Sequence, residues 1–122
     1  MVPRILVVDD DADILSSMCD VLTFAIDGAL VQGASSGRSA MALLRENPPD
    51  ALVTDYRMPG MDGLQLAEAA TASDPGLPVI MVTAFNDREV EARAEEIGVR
   101  TVLHKPFALE RLVAAVQSEL GA

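Results

Sequence analysis

Short apolar runs rich in β-branched residues alternate with longer amphipathic stretches along the whole chain, and this alternation restricts the fold more than any other feature. "RILVV" (Arg4 to Val8) and "PVIMVT" (Pro78 to Thr83) are almost continuously apolar, the pattern of strands buried on both faces. "ALVQGA", "ALVT" and "TVLH" are weaker or shorter runs of the same kind. A first helix is predicted from Asp11 or Ala12 to about Ile26, with Ile14, Leu15, Met18, Val21, Leu22 and Ala25 on one face. Phe24 falls outside that stripe and is expected to pack under the following loop. Ser36 is placed to cap a second helix through Leu43 and Leu44, which Pro48 and Pro49 must stop. A third runs from Gly63 or Leu64 to about Ser73, where "DPGLP" breaks it. "NDREVEARAEEIG" reads as a charged helix with a solvated face, ending at Gly98. The last helix spans Phe107 to Leu120 with Leu109, Leu112, Val113, Val116 and Leu120 inward. Five strands alternating with five helices predict an α/β domain: a parallel sheet covered by helices on both faces.

Length supports one domain over residues 1–122, and the core must be aliphatic, because only three Phe and one Tyr occur. No apolar run approaches the roughly 20 residues of a membrane span, and "MVPRILVVDDD" does not read as a signal peptide. A single cysteine, Cys19, excludes an internal disulfide, fits a reducing cytoplasm, and is expected in or beside the core. The net charge of −10 argues against nonspecific nucleic-acid binding and favours cations and basic partners.

The chemistry lies at the strand ends. In doubly wound sheets the ligand crevice sits beyond the carboxyl ends of the strands. Strand one runs into Asp9-Asp10-Asp11, strand three into Asp55, strand four into Thr83-Ala84, and strand five into His104-Lys105-Pro106. Carboxylates held close need a cation or a raised pKa. Mg²⁺ takes oxygen ligands and commonly combines one or two carboxylates with a phosphate, which suits Asp10 and Asp55 as ligands with Asp9 one shell out. A carboxylate in that setting can attack phosphorus, and Thr83 and Lys105 could then hold the new phosphoryl oxygens. Asp11 and Asp13 read as an N-cap and a first-turn acid, and Asp62 as turn chemistry with Gly63. His104, with no Cys or His nearby, reads as a strand residue rather than a metal ligand.

"VVDDD", "TDYRMPGMDG", "VTAF" and "HKPF", in that order, resemble the receiver domain of two-component response regulators over nearly the whole chain. The resemblance implies a flavodoxin-like fold with strand order 2-1-3-4-5. It implies Asp55 as phosphoacceptor, Asp9 and Asp10 as the acidic pair for Mg²⁺, and the Arg57 backbone carbonyl as a further metal ligand. Thr83 becomes the hydroxyl that moves onto the phosphoryl group, Lys105 its ionic partner, and the Lys105-Pro106 bond cis. It also implies a cytoplasmic signalling switch rather than an enzyme, with at most self-phosphorylation and self-dephosphorylation. The donor is a sensor histidine kinase or histidine phosphotransfer protein, docking on helix one and the loop at Phe107 and Ala108. An effector would read the face of helix four, strand five and helix five, with no nucleic acid or membrane engaged and the chain a monomer or weak dimer.

Three positions stand out. Val102 occupies a position that usually holds Tyr or Phe, so an aromatic switch cannot operate there. Phe85 is apolar near the site of attacking water, and is expected to slow hydrolysis of the acyl phosphate; Arg57 is long and cationic. The turn-rich segment after Asp55 is expected to hold helix three back from the acid. A competing reading is a Mg²⁺-dependent, haloacid-dehalogenase-like phosphatase using Asp9 and Asp11, although Asp13 stands where Thr or Val belongs. A flavin or nucleotide binder would need a Gly-rich or Ser/Thr-rich phosphate loop where acids occur here.

Overall fold

A computed structural model describes residues 2–84 and 86–121. The strands are β1 (Arg4–Val8), β2 (Leu30–Ala34), β3 (Ala51–Asp55), β4 (Val79–Thr83) and β5 (Thr101–His104). The helices are α1 (Ala12–Ala25), α2 (Gly37–Glu46), α3 (Gly63–Ser73), α4 (Arg88–Ile97) and α5 (Leu109–Glu119). All four strand pairings are parallel, in the order β2-β1-β3-β4-β5. The flavodoxin-like, doubly wound architecture is therefore the one the sequence implies.

Alternation along each strand divides the core in two. Leu6, Val8, Leu52, Val79 and Met81 face α2, α3 and α4, where Ala40, Leu66, Ala67, Ala70 and Ala94 meet them. Ile5, Val7, Val53, Ile80, Val82 and Leu103 face α1 and α5, against Met18, Leu22, Leu112 and Val116. Cys19 packs beside this second layer, and burial raises its thiol pKa, with Asp20 adding to the rise.

The helices begin where local chemistry satisfies their first N–H groups. The Asp11 carboxylate accepts from the N–H groups of Asp13 and Ile14, and Ser36 from that of Ser39. Asp62 does more than turn the chain: it forms a reciprocal capping box with Gln65 at the start of α3. Asp87 caps α4, so that helix starts at Arg88 rather than at Asn86. Gly98 ends it with φ 105°, a left-handed conformation that glycine adopts without a Cβ clash.

Several expected burials differ. Helix α5 starts at Leu109, because Ala108 is extended and Phe107 packs against the α1/α5 core layer. Leu109 is 39% exposed instead of inward. Ala25 is exposed and Ile26, the residue that closes α1, is buried in its place. Phe24 does not pack under a loop, being 92% exposed. Nor is α3 held back from β3. The N–H of Gly63 donates to the carbonyl of Tyr56 at 2.7 Å, and a Cβ at Gly63 would overlap the backbone carbonyl of Asp55.

That contact makes Gly63 the tightest point between α3 and the end of β3. Gly63→Ala is expected to lower stability by about 1–3 kcal/mol, the usual cost of overpacking against backbone that cannot give. Phe24→Gln should leave stability within about 0.5 kcal/mol. Urea midpoints of the two variants measure both; an unchanged midpoint for Gly63→Ala would count against the close approach.

Candidate functional site

Parallel register brings the strand ends together. Val8 pairs with Thr54, so Asp9 and Asp55 project from neighbouring strands at the same level. Asp55 in turn pairs with Val82, and Thr83 with His104. Lys105 therefore follows the last residue of β5 at the same edge of the sheet. One carboxylate oxygen from each of Asp9, Asp10 and Asp55 lies within 4.8 Å of the others. Asp9 is buried, Asp55 is 7% exposed, and Asp10 is exposed at the rim.

Lys105 brings a cation to both buried acids. Its Nζ lies 3.3 Å from Oδ2 of Asp9 and 3.4 Å from Oδ1 of Asp55. The carboxylates are also fixed by backbone: Asp11 N–H donates to Oδ1 of Asp9, and Tyr56 N–H to Oδ1 of Asp55, both at 2.9 Å. The Asp55 carboxyl sits above its ordinary pKa because burial disfavours its charge and Asp9 repels it; Lys105 and the Tyr56 N–H offset part of that rise. Such a carboxylate is one that an added cation would favour. Three clustered oxygen donors, two of them on buried residues, fit Mg²⁺ better than a softer ion, which selects imidazole or thiolate.

Thr83 is 1% exposed at the end of β4. Arg57, Met58, Pro59, Gly60 and Asp62 line a rim groove together with Asp10, so the β3–α3 loop makes an excursion past the acids before returning to Gly63. The Lys105-Pro106 bond is cis. Asp11 does not join the cluster, because its carboxylate caps α1; the pairing of Asp9 with Asp11 that a haloacid-dehalogenase-like phosphatase would use is not supported. Phe85, expected to shield the site, lies outside the described residues.

Sequence reasoning missed one contact, that of His104, and had already named the surface on which a groove lies. His104 is not a plain strand residue: its Nε2 lies 2.9 Å from Oε1 of Glu91 on α4. An apolar groove of about 590 Å³ runs between α1 and the β5–α5 loop, lined by Ile14, Met18, Ala84, Pro106, Phe107 and Leu109 among others. It lies along helix one and the loop at Phe107, the surface named in the sequence reading, and Leu109, assigned to the core on periodicity alone, adds to its lining. No helix among the described residues is long and apolar enough to cross a membrane.

Comparison with known proteins agrees with this geometry. The family model for the response regulator receiver domain matches residues 5–117. The transcriptional regulatory protein PrrA of Mycobacterium tuberculosis is 39% identical over 97% of this chain and 50% of its own length. The C4-dicarboxylate transport transcriptional regulatory protein DctD of Rhizobium meliloti is 36% identical over 94% of this chain and 25% of its own. The chain thus spans half or less of these curated relatives. A CheY-like receiver domain from Methanospirillum hungatei superposes with a TM-score of 0.92 at 29% identity, covering 98% of this chain and 94% of that one. With carboxylates, hydroxyl and ammonium gathered at one sheet edge, the chain belongs to the response regulator receiver domains, the phosphorylation-dependent signalling modules of two-component systems.

Proposed function

We propose that Asp55 accepts a phosphoryl group from a phosphohistidine, with Asp9, Asp10, Asp55 itself and the Arg57 carbonyl holding Mg²⁺. The observation that carries this reading is Lys105 Nζ bridging Asp9 and Asp55 beside the exposed Asp10 carboxylate. Oδ1 of Asp55 is engaged by Tyr56 N–H and Lys105, which fixes the carboxylate and leaves Oδ2 to form the bond to phosphorus. As that bond forms, the bond from phosphorus to the donor imidazole nitrogen breaks, and the imidazole leaves with the electron pair and takes a proton. Bound Mg²⁺ would neutralise phosphoryl and carboxylate charge. Lys105 then exchanges its Asp55 contact for a phosphoryl oxygen, and Thr83 donates its hydroxyl to another.

The groove between α1 and the β5–α5 loop supports docking of the donor, a sensor histidine kinase or histidine phosphotransfer protein, beside the acid cluster. An effector reads the α4, β5 and α5 face in a cytoplasmic setting, and the module acts as monomer or weak dimer. Beyond any self-phosphorylation and self-dephosphorylation it has no catalytic task.

Incubation with Mg²⁺ and a small acyl-phosphate donor, followed by intact mass measurement, tests the acceptor. A single phosphoryl adduct is expected, lost in Asp55→Ala and on chelation. An adduct that persists in Asp55→Ala overturns the assignment, as does steady turnover of phosphate esters with no adduct.

The electrostatics give a second expectation. Because Asp55 titrates above its ordinary value in the folded state, that state binds its proton more tightly than the unfolded chain. Stability therefore falls as pH rises from the ordinary carboxylate value through the raised one, and the loss persists at neutral pH. Asp55→Asn should raise the thermal midpoint at pH 7 without metal, and the gain should close as pH falls through that window. Added Mg²⁺ should raise the wild-type midpoint by mass action and do less for Asp55→Asn. Equal midpoints at pH 7 would contradict a charge at Asp55 disfavoured by burial and by Asp9.

A further inference from the structure

The proposed chemistry leaves the route from Thr83 to the surface open, because Val102 has no ring to swing. Val102 is half-buried against the α2/α3/α4 core layer, with Met81 as its register partner. Two residues on, His104 is the register partner of Thr83. By strand alternation the side chains of Thr83 and His104 leave the sheet on the same face as Met81 and Val102, the face that α4 covers through Ala94. The backbones are tied as well: Lys105 N–H donates to the Thr83 carbonyl at 2.8 Å. From this position His104 Nε2 reaches Oε1 of Glu91, 2.9 Å away in the first half of α4, with the two side chains 40% and 37% exposed.

We propose that the His104–Glu91 pair is the latch by which Thr83 controls α4 in this chain, in place of an aromatic side chain at Val102. The inference rests on Asp55 as phosphoacceptor and Thr83 as a phosphoryl ligand. When Thr83 shifts toward Asp55, the hydrogen bond from Lys105 N–H draws the end of β5 with it, and His104 moves relative to Glu91. Arg93 anchors the same helix to α3 through Glu68, at 2.8 Å, so loss of the Glu91 contact frees one side of α4 and not the whole helix. An exposed pair is weak, so the latch biases the helix instead of locking it; its release should shift local opening about two- to fivefold.

Hydrogen exchange of the α4 amides, measured with and without the acyl-phosphate donor and Mg²⁺, tests the latch in the wild type, Glu91→Gln, His104→Val and the double variant. Intact mass is read first: absence of an adduct on the wild type overturns the phosphoacceptor reading itself. With the adduct present, phosphorylation should speed wild-type α4 exchange about two- to fivefold. Each single variant should exchange at the faster rate before phosphorylation, respond little to it, and match the double variant. A purely structural surface pair would leave the response to phosphorylation intact in every variant, and single effects that add would show that His104 and Glu91 do not act through one contact. Either of those results overturns the latch, as does wild-type α4 exchange that phosphorylation does not change.

Discussion

Two buried carboxylates, Asp9 and Asp55, share the Lys105 ammonium, and the upper edge of the sheet is organised around that shortage of positive charge. Removing an ion from water costs several kcal/mol unless pairing and hydrogen bonds compensate. Here compensation is partial: the Asp55 carboxyl is held above its ordinary value, and Asp10 adds a third acid at the rim. The arrangement also constrains the fold. Its members come from the ends of β1, β3 and β5, with β4 between the last two. A one-residue slip in any of these pairings would turn a charged side chain to the other face of the sheet and break the set.

Backbone supplies what side chains cannot. The N–H groups of Asp11 and Tyr56 orient the two acids, and both follow directly from the chain leaving its strand. After β3 the chain passes the acids as the rim of a groove and then closes on the Asp55 carbonyl at Gly63. The loop thus leaves room beside the carboxylates while α3 remains against the sheet. A side chain at position 63 would force a choice between these, which explains the glycine there.

Strand ends were legible because a parallel sheet buries continuous apolar runs and gathers their carboxyl ends on one edge; Asp9, Asp55, Thr83 and Lys105 follow from that rule alone. Caps were legible where a short polar residue precedes a helical run, as at Asp11 and Ser36. The misassigned residues share a different cause. Phe24, Ala25 and Leu109 lie on helical stretches whose apolar positions cover more than one face, and periodicity does not reveal how far the neighbouring sheet and helices reach beneath each turn. Phe24 ends up in solvent and Leu109 beside a groove. The contact between His104 and Glu91 depends on how α4 sits over β5, which no local pattern encodes.

Strand alternation also separates the two sides of the site. Leu103 enters the α1/α5 layer, whereas Val102 and His104 face α4. The apolar groove next to Lys105 lies between α1 and the β5–α5 loop, on the first of these sides. A donor seated there would not cover α4. Lys105 lies at the boundary, with its ammonium on the acids and its backbone N–H on Thr83. A charge added at Asp55 therefore acts on a residue joined by its own backbone to the α4-facing end of β5. With valine at 102, that backbone and the His104 side chain supply the covalent and hydrogen-bonded path between the acids and α4.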